Sequence, residues 1–342
     1  MGQSRIPVAV VNGTGYGGVE LLRLLAHSPT FELVEVTARS EAGKPVAAVF
    51  PHLADLGLTF TPRVERAGLV FVALPDDAAT GIVPELLAAG RRVVDLSAAF
   101  RLRAPALYPR WYGYEHPAPA LLETAVYGLA EYARDALPDA RLVAVPGCYP
   151  TAALLGLLPA LRAGLIEPDV IVDAKSGVSG AGRALKLSTH FSEVNEDVSA
   201  YSLDGHRHQP EIAQELAGAA PDAHIRLTFT PHLVPMTRGI LATCYAPLAH
   251  GATASAIRDA YIAAYAGTPF VRVADAPPHT KWTLASNRCY VYPTVDAAGE
   301  RLIVVSVLDN LVKGAAGQAI QCANIMCAVP ETEGLPVEGV YP

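Results

Sequence analysis

The stretch "IPVAVVNGTGYGGVELLRLL", residues 6–25, constrains the fold more than any other. A short apolar run, Ile6 to Val11, passes through Asn12 and leaves as a helical pattern, so Gly13, Gly15 and Gly18 form a G-x-G-x-x-G turn between a first strand and a first helix. Glycines there permit a tight turn and close backbone approach to a pyrophosphate, whose charge the helix N-terminus attracts. A merely glycine-rich loop would lack the flanking strand and helix, and the alternation continues beyond it. "FELVEVTA" and "LVFVALP" read as strands, "AATGIVPELLAAG" as a helix and "RRVVDLS" as a further strand. This is the α/β pattern of a Rossmann-type doubly wound parallel sheet.

The second strand ends in "TARSEAGK". An acid there would bind the ribose 2′-hydroxyl of NAD, but the strand end offers Arg39 and Ser40, which suit the 2′-phosphate of NADP(H). Glu35 lies too early in the strand for the acidic role and Glu41 too late. From Asp169 the texture changes to longer alternating strands, "DVIVDAKS", "HIRLTFTPHLV", "GILATCYAPL", "RCYVYPTVD" and "RLIVVSVLDN", with one helix, "TASAIRDAYIAAYAG", among them. A second α+β domain with a mixed or antiparallel sheet is predicted. The boundaries are a dinucleotide-binding domain over 1–147 and a catalytic domain over 148–312, with the helical segment 313–330 returning to pack on the first domain.

Composition narrows the function classes. A chain of 342 residues with 51% hydrophobic and 17% charged content is globular and has room for two cores. Its net charge of −7 gives no support to nucleic-acid binding, so an anionic substrate needs a local cluster of Arg and Lys. No membrane span and no secretory pattern are read, which points to the cytoplasm. The five cysteines form no CxxC pair and are odd in number, so neither disulfides nor a zinc site is indicated.

One of those cysteines has an informative place. In "VAVPGCYPTAALLGLLPALR", Leu142 to Val145 reads as a strand that Pro146 and Gly147 break, and an Ala/Leu-rich helix follows. Cys148 therefore sits at a strand-to-helix turn, where free N–H groups and the helix dipole favour a thiolate and can hold an oxyanion. A buried structural thiol is the plainer alternative. In "DGHRHQPEIAQEL", His206 and His208 flank Arg207 just before Pro210 and Glu211 open a helix. The cluster is either a solvated helix start or an imidazole base oriented by a carboxylate. No third His or Cys accompanies it, so metal binding is not indicated. "DLSAAFRL" places Arg101 beyond a strand end on the ligand side of a parallel sheet, and "SGVSGAGR" is a second glycine-rich loop after a strand.

At this point the chain resembles the N-acetyl-γ-glutamyl-phosphate reductases, of the aspartate-semialdehyde dehydrogenase superfamily. The blocks "GTGYGGVELLRLL", "DLSAAFRL", "VPGCYPTAALLGLLP", "SGVSGAGR", "HFSEVNE", "GHRHQPEI", "FTPHLVPMTRGIL" and "DNLVKGAAGQAIQ" carry the resemblance in family order over almost the whole chain. It implies reduction of an acyl phosphate to an aldehyde by a cysteine thiolate and NADPH, in arginine biosynthesis. It further implies Cys148 as nucleophile and one of His206 and His208 as acid/base, with His208 held by Glu211 favoured. Arg101 would grip the substrate phosphate, with Arg183 a second substrate contact. Gly13, Thr14, Gly15, Tyr16 and Gly18 would form the pyrophosphate turn, Arg39 and Ser40 the 2′-phosphate contacts, Ser179 and Gly180 the loop near the nicotinamide, and Asn310 the segment closing over the cofactor. A small-molecule substrate and a homo-oligomer, dimer or tetramer, are expected.

Two positions depart from the family pattern. Asp76 and Asp77 follow Leu74-Pro75 where His-Gly is usual, and Ala99 stands where an aspartate is common. Rival readings are a reductase of the corresponding acyl phosphate linked to a small acidic carrier protein, a cysteine-dependent acyl hydrolase or transferase, and a non-catalytic dinucleotide sensor. The first tends to lose the Pro-Gly-Cys-Tyr-Pro form and the "TPHLVPM" block, both present here. The second leaves the glycine turn and Arg39 idle, and the third leaves Cys148 and "GHRHQPE" without purpose.

Overall fold

The computed structural model describes residues 5–341, in two compact units: residues up to Pro146 with Ala315–Leu335, and Gly147–Gly314 with the stretch from Pro336 onward. In the first unit β1 (Ile6–Val11), β2 (Phe31–Thr37), β3 (Phe60–Thr61), β4 (Leu69–Val72), β5 (Arg92–Asp95), β6 (Val126–Tyr127) and β7 (Leu142–Ala144) form one sheet in the order β3-β2-β1-β4-β5-β7-β6. Every pair in it is parallel. Strand order reverses between β1 and β4, the switch point at whose carboxyl ends ligands bind in such sheets. Val8, Val10, Val70, Val72, Val93 and Val143 are fully buried, the near-continuous apolar strands that a sheet covered on both faces requires.

The helix Gly317–Met326 belongs to this unit, where Gln318 Nε2 donates to Gly128 O at 2.8 Å and Arg92 Nη1 to Met326 O at 2.9 Å. The two-residue edge strands β3 and β6 escape a sequence reading because a run that short carries no periodicity.

In the second unit β8 (Asp169–Gly177), β9 (Ser199–Ala200), β10 (Arg226–Val234), β11 (Ile240–Pro247), β12 (Val271–Val273), β13 (Cys289–Val295) and β14 (Arg301–Leu308) form a mixed sheet, ordered β12-β13-β14-β11-β8-β10-β9. β8 pairs β10 in parallel and β12 pairs β13 in parallel; the other pairs are antiparallel. The helix Cys148–Arg162 lies on β11 and β14 and is buried from Tyr149 to Leu161.

That helix contains Pro159, which removes the N–H that would reach Leu155 O. The Tyr265 hydroxyl, from the helix Ala254–Tyr265, donates to Leu155 O instead, and Tyr261 donates to Gly156 O. Tyr265→Phe leaves a buried carbonyl without its donor and is expected to destabilise this unit by about 1–3 kcal/mol, read as a lower denaturation midpoint with an unchanged m-value.

Candidate active site

The glycine turn is built by packing as much as by backbone freedom. A Cβ on Gly13 would lie 2.4 Å from Val36 Cγ1, and one on Gly18 would lie 2.4 Å from Asn12 O, so both glycines let the helix Tyr16–Leu25 close onto the sheet. Gly15 differs: its Cβ would find only Asn12 Nδ2, at 3.9 Å. Its face is open, and as N-cap it precedes a first turn without an acid or a side-chain cap, which suits a pyrophosphate. Thr14 Oγ1 lies 3.3 Å from Asn12 Oδ1, and Tyr16 is exposed as the first helical residue.

Asn12, not singled out from sequence, ties the two strands of the switch point together. Its φ is +64° and its Nδ2 donates to Ala73 O, just beyond β4, at 2.8 Å. Asn is the non-glycine residue that most readily accepts such a backbone. The turn thus fits a dinucleotide.

Beyond β2, Arg39 and Ser40 are exposed, whereas Glu41 pairs with Lys44 at 2.7 Å. Glu35 is buried, and its carboxylate accepts the N–H groups of Glu65, Arg66 and Ala67. Burial acts to raise its pKa, but those three bonds outweigh it and hold the carboxyl below its ordinary value. Glu35 is therefore committed to the 65–67 turn. Asp76 and Asp77 sit in the first turn of the helix Asp76–Ala88, where acids complement the helix dipole.

Arg101 is buried after β5, its Nε donating to Val145 O at 2.7 Å and its Nη2 to Leu96 O at 2.8 Å. Ala99 O accepts from Tyr108 Oη at 2.6 Å and lies 2.9 Å from His116 Nε2, so the loop is tied down at Ala99 itself. Beneath it, burial pushes the Asp95 carboxyl up to about 6, against the opposing pull of Ser97 and Arg101.

In the second unit Cys148 is the first residue of its helix, half-buried, with Gly147 as N-cap and no acid in the first turn. Two glycines record how closely other groups approach it. A Cβ on Gly147 would lie 2.4 Å from His208 Nε2, and a Cβ on Gly314 would lie 2.8 Å from Cys148 Cβ. His208, the N-cap of the helix Gln209–Ala219, therefore sits over the residue before the thiol. Glu211 is fully buried one turn on, and its Oε1 accepts the Gly147 N–H at 2.7 Å, bracing the turn that presents Cys148.

His206 has a different environment. Its Nδ1 accepts the His208 N–H at 3.0 Å, and its ring packs edgewise against Tyr149, Tyr201, Phe229 and His208. Burial, with Arg207 adding to it, lowers its pKa to about 4. It is neutral near pH 7. Because the folded value lies below the reference 6.5, its contribution to stability is fully present above pH 6.5 and falls by about 3 kcal/mol as pH drops to about 4. His206→Gln is expected to flatten that acid limb of the stability-versus-pH curve.

Ser179, Gly180 and Asn310 come together. Asn310 Nδ2 donates to Ser179 Oγ at 3.0 Å, its Oδ1 accepts the Gly239 N–H at 2.8 Å, and a Cβ on Gly180 would meet Ser176 Oγ at 2.9 Å and Asn310 Nδ2 at 3.8 Å. Arg183 lies just beyond, exposed. Asp309, which the sequence reading missed, anchors the same loop: fully buried, it accepts from the N–H groups of Ala285, Leu311 and Val312. Among the described residues none of the five cysteines is in a disulfide, no group of three or more His, Cys, Asp or Glu is placed to hold a metal ion, and no helix is long and apolar enough to cross a membrane.

A nucleotide-type turn on a parallel sheet and a cysteine at a helix start on a mixed sheet define a two-domain semialdehyde dehydrogenase. Residues 7–140 match the semialdehyde dehydrogenase NAD-binding domain and residues 148–310 the semialdehyde dehydrogenase dimerisation domain. Solved structures of the same fold include aspartate semialdehyde dehydrogenase II of Vibrio cholerae, with a TM-score of 0.71 at 16% identity, covering 95% of this chain and 99% of that one. Another is an aspartate semialdehyde dehydrogenase with NADP from Candida albicans, with a TM-score of 0.70 at 17% identity over 95% of this chain and 99% of that one.

The chain belongs to the N-acetyl-γ-glutamyl-phosphate reductase family. A member from Dehalococcoides mccartyi is 54% identical over 97% of this chain and 98% of its own length. Members from Heliobacterium modesticaldum and Pseudomonas syringae are each 49% identical over 98% of this chain and 100% of their own.

Proposed function

We propose that the protein reduces N-acetyl-γ-glutamyl phosphate to N-acetylglutamate semialdehyde with NADPH, releasing phosphate, through a thioester on Cys148. The observation that carries the residue assignment is the meeting of Cys148, His208 and Glu211 around Gly147. In this reading the Cys148 thiolate attacks the acyl carbon, the carbon–oxygen bond to phosphate breaks, and a thioester forms. N–H groups of the uncapped helix start take the oxyanion. NADPH held by the Gly13–Gly18 turn and the loop of Ser179, Gly180 and Asn310 would supply the hydride that reduces the thioester carbonyl. His208 donates a proton as the thiohemiacetal forms and takes one back as the aldehyde leaves and the thiolate is restored. His208 is preferred to His206 because the latter's Nδ1 is occupied and its pKa depressed.

Arg101 and Arg183 are assigned to the substrate, Arg101 to its phosphate through the charge of a guanidinium that Val145 O and Leu96 O hold in place. Ser179, Gly180 and Asn310 are assigned to the nicotinamide side. Homo-oligomerisation through the second unit is supported by the open face of its sheet. There Ile171, Leu241, Tyr245, Tyr290, Tyr292 and Ile303 remain only half-buried.

The test runs the reaction in reverse, with N-acetylglutamate semialdehyde, phosphate and NADP. Phosphate-dependent formation of reduced cofactor is expected. No reduction with all three present would overturn the reading, and reduction only with a carrier-linked aldehyde would favour the carrier-protein reading. Preference for NADP over NAD is assigned to Arg39 and Ser40. Arg39→Asp is expected to move the NADP/NAD ratio of kcat/KM toward NAD by roughly 10- to 100-fold, the size of one charged hydrogen bond.

A further inference from the structure

Besides the adjacent Val340 and Tyr341, the exposed large apolar side chains of the described residues concentrate in one segment. Between Leu185 and Leu203 five of them are exposed in a single run: Leu185 at 102%, Leu187 at 76%, Phe191 at 73%, Val198 at 62% and Leu203 at 65%. Such a density on one segment marks an interaction surface. The run holds two one-turn helices, Leu187–Thr189 and Phe191–Val194, and includes β9, the outermost strand of the second sheet, whose far edge pairs with no other strand among the described residues.

We propose that residues 185–203 form an arm that docks on a second copy of this chain, and that Tyr201 relays the docking to the nucleophile turn through Tyr149. The arm lies within the segment matched by the dimerisation domain, and β9 pairs with β10, so it continues the sheet assigned above to the oligomer. Its local charge is acidic, with Glu193, Glu196 and Asp197 against Lys186, so the docking rests on the apolar side chains, and an anionic membrane is disfavoured as the occupant. The proposal rests on the homo-oligomer reading.

The relay is visible in the hydrogen bonds. Tyr201 N donates to Pro231 O at 3.1 Å, and the Tyr201 hydroxyl donates to the Tyr149 hydroxyl, also at 3.1 Å. Tyr149 in turn donates to His232 O at 3.1 Å, follows Cys148 directly, and places its ring edgewise against both His206 and His208. Seating the arm thus fixes a side chain that borders the thiol and the imidazole.

The test compares the native protein, the double variant L187D/F191D and Tyr201→Phe by sedimentation velocity, kcat, and the pH midpoint of Cys148 alkylation. Leu187 and Phe191 are exposed within their own chain, so their replacement spares its core. The double variant is expected to sediment one assembly level lower and to lose activity. Tyr201→Phe is expected to keep the native assembly, with kcat reduced by about two- to tenfold, the size of one neutral hydrogen bond, and a shifted alkylation midpoint. A native protein that is monomeric at all concentrations would overturn the homo-oligomer reading itself. An oligomeric native protein whose double variant sediments unchanged would overturn the arm alone, whatever its activity. Native kcat and midpoint in Tyr201→Phe would overturn the relay.

Discussion

Cys148→Ser is expected to lower kcat by at least about 10³-fold, because a serine alkoxide is far less accessible at neutral pH than a thiolate. NADP affinity should stay near native, since the glycine turn is untouched. Alkylation offers the complementary measurement. Cys244, Cys289 and Cys322 are fully buried, and burial pushes the Cys244 thiol up to about 12. Cys327 is half-buried, its pKa raised by burial against the opposing charge of Arg92. Iodoacetamide should therefore label Cys148 well ahead of the other four, with a midpoint below the ordinary ~8.5 of a free thiol. Labelling no faster than Cys327, or substantial activity in the serine variant, would remove Cys148 from the chemistry.

The second large effect is expected from Gly147→Ala, which adds one methyl group to the turn. Its Cβ would lie 2.4 Å from His208 Nε2 and 2.8 Å from both Cδ2 and Cε1, so the whole ring must shift. Tyr149 and His206 border that ring, which limits where it can go. A displacement of this size from a reacting geometry costs on the order of 10²-fold in kcat. The overpacking itself should cost about 1–3 kcal/mol, which a denaturation curve separates from the kinetic effect. Activity within twofold of native, with the ring displaced, would show that His208 is not the acid/base. Gly314→Ala probes the opposite side, because its Cβ would press on Cys148 Cβ at 2.8 Å.

These two variants also mark how far the sequence could be read. Strand, glycine turn and helix around Gly13–Gly18 are neighbours in the chain, so their geometry follows from local rules and they were legible at once. The same holds for the strand-to-helix turn at Cys148, although the helix begins at the cysteine itself, ahead of the Ala/Leu-rich run. By contrast, nothing local distinguishes Asp309 from other acids next to a strand end. Its role appears only when Ala285, 24 positions earlier, brings its N–H to the carboxylate. Asn12 was hidden for a similar reason, since its partner Ala73 lies 61 positions away.

What the sequence determined by itself is the α/β class, the mixed second sheet, the glycine turn between strand and helix, and the placing of a thiol at a helix start. Each depends on hydrophobic periodicity or turn chemistry acting over a few residues. The tertiary structure alone separates the two histidines. They are two positions apart in the same turn, and only folding sets the His206 Nδ1 on the His208 N–H, lowers the His206 pKa to about 4, and places the His208 ring against Gly147. It also decides Glu35, which sequence could discount only by register but which three N–H groups from residues 65–67 engage outright. And it gives Glu211, 64 positions from Gly147, the N–H that braces the turn before Cys148. The reason is the same in each case: desolvation and long-range hydrogen bonds depend on which distant groups close around a side chain, and that is fixed only when the sheets and helices pack.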